Sequence, residues 1–117
     1  MNLATAFAAA AEKNAAKTAV YWGETEYSYE RLARQSCRVA ARLQSELGVK
    51  PGDRVGLWLK NCPEFISAIF GVLQAGSVVV PINSFLKPTE VSHILEDAGA
   101  STVISGAETA GDGICLS

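Results

Sequence analysis

Residues 55–82 read VGLWLKNCPEFISAIFGVLQAGSVVVPI, and the order of residue types in this stretch decides the fold class. Val55-Gly56-Leu57-Trp58-Leu59 is apolar almost throughout, the composition of a strand covered on both faces within a parallel sheet, so helices are expected above and below it. Asn61-Cys62-Pro63-Glu64 then opens a helix: Asn61 or Cys62 stands near the cap, the proline falls in the first turn, and the glutamate complements the helix dipole. The helix is predicted to run to Ala75 and to end at Gly76, after which Ser77-Val78-Val79-Val80-Pro81-Ile82 forms a second strand with its proline at the exit. Strand, helix and strand together occupy about thirty residues, the length of one βαβ unit.

The same alternation continues downstream. Pro88-Thr89-Glu90 starts a helix whose Val91, Ile94, Leu95 and Ala98 recur at i, i+3, i+4 and i+7, Gly99 stops it, and Thr102-Val103-Ile104 is the next strand. Upstream, Lys50-Pro51-Gly52-Asp53 is a turn that separates this unit from a long amphipathic helix over Tyr29 to Leu47, capped by Ser28 and stopped by Gly48. Its apolar stripe is Leu32, Val39, Ala40, Leu43 and Leu47. Before it, Thr18 to Trp22 and Thr25 to Ser28 are β-branched and aromatic, and Gly23-Glu24 has the two-residue length of a tight hairpin with glycine first. Leu3 to Lys13 is alanine-rich and predicts an opening helix that ends at Asn14. The expected class is α/β: a mostly parallel sheet with right-handed crossovers, flanking helices and an N-terminal β-hairpin, formed as a single unit over residues 1–117. Residues 106–117 read as a tail that is poorly ordered or interrupted.

Composition excludes several function classes. With 117 residues, 49% hydrophobic, 19% charged and a formal net charge of −2, the chain matches an ordinary globular domain and gives no electrostatic reason for nucleic-acid binding. Cys37, Cys62 and Cys115 are an odd number without CxxC spacing, so neither a disulfide framework nor a zinc site is expected, and a reducing, cytoplasmic setting fits. The opening Met1 to Ala8 lacks the positive segment of a signal peptide and meets Glu12 and Lys13 early, and no apolar run approaches the roughly 18 to 20 residues of a membrane span.

Ligands of open parallel sheets collect beyond the carboxyl ends of the strands, here Lys60 to Cys62, Asn83 to Lys87 and Ser105 to Gly113. The tail Gly106 to Gly113 carries glycines and two acids but no lysine, so it is a poor phosphate loop; no GxGxxG pattern is present, and Gly71, Gly76 and Gly99 read instead as close helix packing and helix stops. Cys62 at a helix start is a setting for a reactive thiolate, but no base is near it in sequence, and a small residue filling a turn is the favoured reading. His93, the one histidine, is expected at the rim of its helix rather than on a metal. No catalytic, cofactor-binding or metal-ligating residue is therefore expected in the chain.

Two features are left over. Arg31, Arg34, Arg38 and Arg42 share an arc of roughly 80° on the long helix; a solvated face is the first reading, contact with anionic lipid or another domain the second. On the helix from Pro63 to Ala75 the apolar residues cover roughly 220°, wider than one buried face needs. Either the arginine helix and the N-terminal helix cover it, or a continuation absent from this sequence does. The second is favoured, and self-association of the chain through that face is expected with it.

The residues that carry these elements resemble the start of the adenylate-forming superfamily of acyl-CoA synthetases, peptide-synthetase adenylation domains and luciferases. They are Tyr27 to Leu32, Gly52 to Leu57, Asn61 to Phe65, Gly71 to Gly76, Val80 to Asn83, and Glu90 leading to Ile94-Leu95-Glu96-Asp97-Ala98. The resemblance spans about Leu3 to Ser105 and implies the N-terminal part of a large two-domain ligase of the long-chain fatty acid CoA ligase type. Such an enzyme joins a carboxylate to AMP using ATP and Mg2+ and then passes the acyl group to CoA. The family's Pro-Lys-Gly loop and its later nucleotide and lysine motifs have no counterpart in this sequence, so the resemblance implies a scaffold piece, inactive alone, whose partner is the remainder of the ligase. A stand-alone α/β interaction module without catalysis is the alternative.

Overall fold

The computed structural model describes residues 3–60, 62–106 and 114–116. Helix α1 (Leu3–Lys13) ends where the Asn14 side-chain amide donates to the Ala10 carbonyl at 3.0 Å. Strands β1 (Thr18–Trp22) and β2 (Thr25–Ser28) pair antiparallel, with Trp22 opposite Thr25. Gly23 adopts φ 61° and Glu24 does not, the pattern of a II′ turn, which matches the twist of the two strands.

Helix α2 (Tyr29–Ser45) starts at Ser28, whose hydroxyl oxygen accepts the Arg31 amide at 3.1 Å. It ends two residues earlier than the periodicity predicts, which leaves Leu47 outside the helix and 36% exposed. Asp53 closes the following turn by accepting the Lys50 amide at 2.9 Å. Strand β3 (Arg54–Trp58), helix α3 (Pro63–Gln74), strand β4 (Val78–Pro81), helix α4 (Pro88–Ala98) and strand β5 (Thr102–Gly106) then alternate as the sequence predicts. Gly99 holds the left-handed conformation, φ 69°, that ends α4.

The sheet order is β4-β3-β5-β6, with β3 parallel to both neighbours: Gly56 lies opposite Val80 on one side and Val103 on the other. Strand β6 (Ile114–Leu116) pairs antiparallel with β5, a strand the sequence reading did not place. The rest of the predicted tail, residues 107–113, lies outside the described residues.

One face of the sheet presents Val55, Leu57, Leu59 and Ile104 to a core completed by Val39, Ala40 and Leu43 of α2 and Ala68 and Val72 of α3. Helices α2 and α3 pack along each other there, and α1 lies against both. Phe7 of α1 stacks on Phe70 of α3 at 4.1 Å between ring centres. Much of the wide apolar face of α3 lies against α1, α2 and the sheet, which leaves Phe65, Ile66, Ile69, Phe70 and Leu73 partly buried and no α3 residue among the exposed large hydrophobics. A helix packed between a sheet and two further helices uses apolar residues around much of its circumference, which accounts for a large part of that width.

The opposite sheet face carries α4. Leu95 sits over Gly56, where an added Cβ would lie 2.5 Å from Leu95 Cδ2, and Arg54 Nη1 donates to the Ala98 carbonyl at 2.7 Å. Of α4 only Val91 is fully buried.

Candidate functional site

All three parallel strands end on the same edge of the sheet, which brings Leu59, Lys60 and Cys62, Ile82 to Lys87, and the end of β5 at Ser105 to one rim. Proline at N1 and the cap position of α3 place Cys62 there, half-buried, with extended backbone and no side-chain capping bond. Burial pushes its thiol above the ordinary value of 9.0, the neighbouring Glu64 carboxylate adds to the rise, and the Phe65 and Glu64 amides oppose it. A neutral thiol filling a turn therefore stands where a helix start by itself would favour a thiolate.

Asn83 turns its side chain back on its own loop: Oδ1 accepts the Phe85 amide at 2.9 Å, and the Asn83 carbonyl accepts the Leu86 amide at 3.2 Å. This turn holds Phe85 outward, 92% exposed. Lys87 donates its backbone N–H to the Glu90 carboxylate at 3.1 Å and so starts α4. Ser105 is buried at the end of β5. His93 is exposed on α4, away from Cys62 in sequence and on a different element. Among the described residues no group of three His, Cys, Asp or Glu side chains is placed to hold a metal ion.

Sequence reasoning passed over the polar pair between α2 and α3. The fully buried Ser67 hydroxyl donates to Gln35 Oε1 at 2.8 Å, and the equally buried Ser36 hydroxyl donates to the Leu32 carbonyl at 2.9 Å. Their signal was their place: each serine falls within the apolar arc of its helix, where only a small, internally bonded polar group is tolerated. A cavity of about 320 Å3 lies between α1, α2 and the last turns of α3, lined by Phe7, Ser36, Cys37, Phe70, Leu73 and Gln74. At its rim Gln74 Nε2 donates to Cys37 Sγ at 3.3 Å. It opens near the end of α3 remote from the strand-end rim.

A parallel β4-β3-β5 core with α3 and α2 on one face, α4 on the other and a hairpin ahead of α2 defines the α/β layer of an adenylate-forming N-terminal domain. The chain has the same arrangement as the anthranilate CoA ligase AuaEII in complex with anthranoyl-AMP (TM-score 0.84, 29% identity, 95% of this chain and 21% of that one). The nonribosomal peptide synthetase FmoA3 is similar as well (TM-score 0.88, 31% identity, 96% of this chain and 12% of that one). A family model described as AMP-binding enzyme matches residues 7–114, and the chain belongs to that family.

Curated relatives include a long-chain-fatty-acid–CoA ligase of Escherichia coli O6:H1, 42% identical over 77 residues that make up 66% of this chain and 14% of the relative. A feruloyl-CoA synthase of Amycolatopsis sp is 42% identical over 93 residues, 80% of this chain and 19% of the relative. The chain thus spans less than a fifth of these relatives. No helix among the described residues is long and apolar enough to cross a membrane.

Proposed function

We propose that this chain is the N-terminal scaffold portion of an ATP-dependent acid–thiol ligase, which activates a fatty acid as acyl-AMP and transfers it to CoA, and that the chain alone is inactive. The observation that carries the reading is the family match across residues 7–114, joined by close relatives named for long-chain fatty acids. Relatives named for feruloyl and anthranoyl groups make an aromatic acid the competing substrate class.

In this reading ATP, Mg2+ and CoA are held by other parts of the ligase. The strand-end residues present here, Lys60, Cys62, Asn83 and Ser105, form no lysine-bearing glycine loop fit for a triphosphate, so no nucleotide step is assigned to them. Their part is to fix the sheet against which such a site is built. A cytoplasmic setting belongs to the same proposal, since three cysteines in this pattern suit a reducing compartment.

The test is ATP–pyrophosphate exchange with Mg2+ and either palmitate or ferulate. The isolated 117-residue chain is expected to give no exchange above the blank. Grafted in place of the matching segment of a long-chain fatty acid CoA ligase, it is expected to restore palmitate-dependent exchange. Robust exchange by the isolated chain overturns the inactivity, and a folded but dead chimera overturns the scaffold role.

A further inference from the structure

The outward face of α2 is not explained by scaffolding. Arg31, Arg34, Arg38 and Arg42 are all exposed, while the residues buried on this helix, Leu32, Ser36, Val39, Ala40 and Leu43, point the other way. Spacings of three, four and four residues line the arginines along about 16 Å of helix within an arc of roughly 80°. No acidic residue falls inside that arc. Glu46 at its margin pairs with Arg42 at 3.2 Å, and Arg31 lies over the Tyr27 ring at 4.2 Å. Arg34 and Arg38 make no ion pair or side-chain hydrogen bond among the described residues. The chain as a whole is net negative, so the stripe is a local concentration of positive charge and not a sample of a basic surface.

The stripe continues into an exposed aromatic. In the hairpin register Trp22 pairs with Thr25 and Val20 with Tyr27, so Trp22 and Tyr27 stand on the same hairpin face, and Tyr27 carries the Arg31 guanidinium. Trp22 is half-exposed. An indole with an apolar body and a polar N–H, set beside a row of cations, suits a boundary between water and lipid headgroups. Shape favours the same occupant. A plane laid tangent to a helix touches only a narrow arc, as these four side chains provide, whereas an acidic peptide in a groove requires walls that this convex ridge does not offer.

We propose that the arginine face of α2, with Trp22 at its end, docks the chain peripherally and reversibly on an anionic lipid surface. Each basic side chain held near an anionic leaflet contributes about fivefold in affinity, and Arg42 contributes less because Glu46 already partners it. The attachment is therefore weak and salt-sensitive.

The test is co-sedimentation of the 117-residue chain with phosphatidylcholine vesicles, with and without phosphatidylglycerol. Binding is expected only to the anionic vesicles and is expected to vanish in about 0.5 M salt, where screening lengths shrink to a few Å. R34Q/R38Q is expected to lose roughly thirtyfold in affinity with unchanged circular dichroism and melting, because both side chains are exposed and unpaired among the described residues. R34K/R38K should bind nearly as wild type, and K50Q/K87Q, which removes two exposed charges elsewhere, should not weaken binding. Absence of binding to the anionic vesicles, or an equal loss in K50Q/K87Q, overturns the proposal. So does tighter binding to polyglutamate than to the vesicles, which would assign the stripe to an acidic protein.

Discussion

Helices α2 and α3 approach closely at Gly71. A Cβ added there would lie 2.6 Å from both Cβ and Cγ1 of Val39, a short and stiff β-branched side chain, and 3.0 Å from the backbone carbonyl of Ser36. Alanine in a helix is worth about 1 kcal/mol over glycine, but forcing α2 and α3 apart costs typically 1–3 kcal/mol and forfeits packing along the whole contact. G71A is therefore expected to lower the midpoint of urea unfolding despite its better propensity. At Gly56 the closest atom is Leu95 Cδ2, the tip of a half-buried side chain on a loosely packed helix, so G56A is expected to cost less than G71A in the same titration. Equal losses would mean that α4 is held as firmly as α2. Cys62 supplies a chemical readout at the same scale. Because burial raises its thiol pKa, the fold favours the neutral form; stability from this group is intact below 9.0 and falls as pH climbs through the folded value. Iodoacetamide at mildly alkaline pH is expected to label exposed Cys37 before half-buried Cys62, read by peptide mass mapping, and the opposite order would contradict the burial of Cys62.

At the level of elements, local signals that act within a few residues were legible in the sequence, and contacts between elements were not. Ser28 at the cap, Pro63 and Pro88 at helix starts and Gly99 at a helix end each act on neighbouring backbone, so the helices and strands they bound lie where the sequence puts them. S28A is accordingly expected to destabilise by about 1 kcal/mol, the usual effect of removing a capping oxygen, measured as a shift in the unfolding midpoint. Ser36 and Ser67 escaped because a hydropathy pattern scores them as interruptions, whereas Gly71 was legible as a glycine of close helix packing. Side by side they are the small residues that let α2 and α3 approach and then satisfy their own polar atoms. The width of the α3 apolar face was visible, but what covers it was not, since a sequence cannot tell α1 and α2 folding over a helix from a segment supplied from elsewhere. Strand β6 was missed for a related reason: three residues after a glycine-rich stretch carry no period, and only pairing with β5 defines them. At the candidate site, the absence of a lysine-bearing phosphate loop could be read directly, whereas the raised thiol of Cys62 and the inward turn of Asn83 depend on burial and three-dimensional hydrogen bonding.

Across the whole molecule the two faces of the sheet are unequal, and this asymmetry relocates any self-association. Among the described residues the exposed large hydrophobics are dispersed: Leu3, Tyr21, Trp22, Leu47, Val78 and Phe85. Two of them lie at the edge strand β4: Val78, 48% exposed, opens the strand, and Phe85, 92% exposed, follows it. The Val78 and Ile82 amides donate to the Asp53 and Leu57 carbonyls at 2.8 and 2.9 Å, so alternation turns the Val79 amide outward, and Pro81 has no N–H to offer. Such an edge is too short and too poor in donors to template extended pairing, but it leaves an apolar margin along the outer edge of β4. Weak, reversible association through this margin is the expected outcome at high concentration, in sedimentation equilibrium. V78K is expected to move the population towards monomer while changing stability by no more than about 0.5 kcal/mol, because it places a charge on an exposed edge and empties no core. A tight dimer that V78K leaves intact would place the contact elsewhere, with the partly buried apolar residues of α3 as the next surface to substitute.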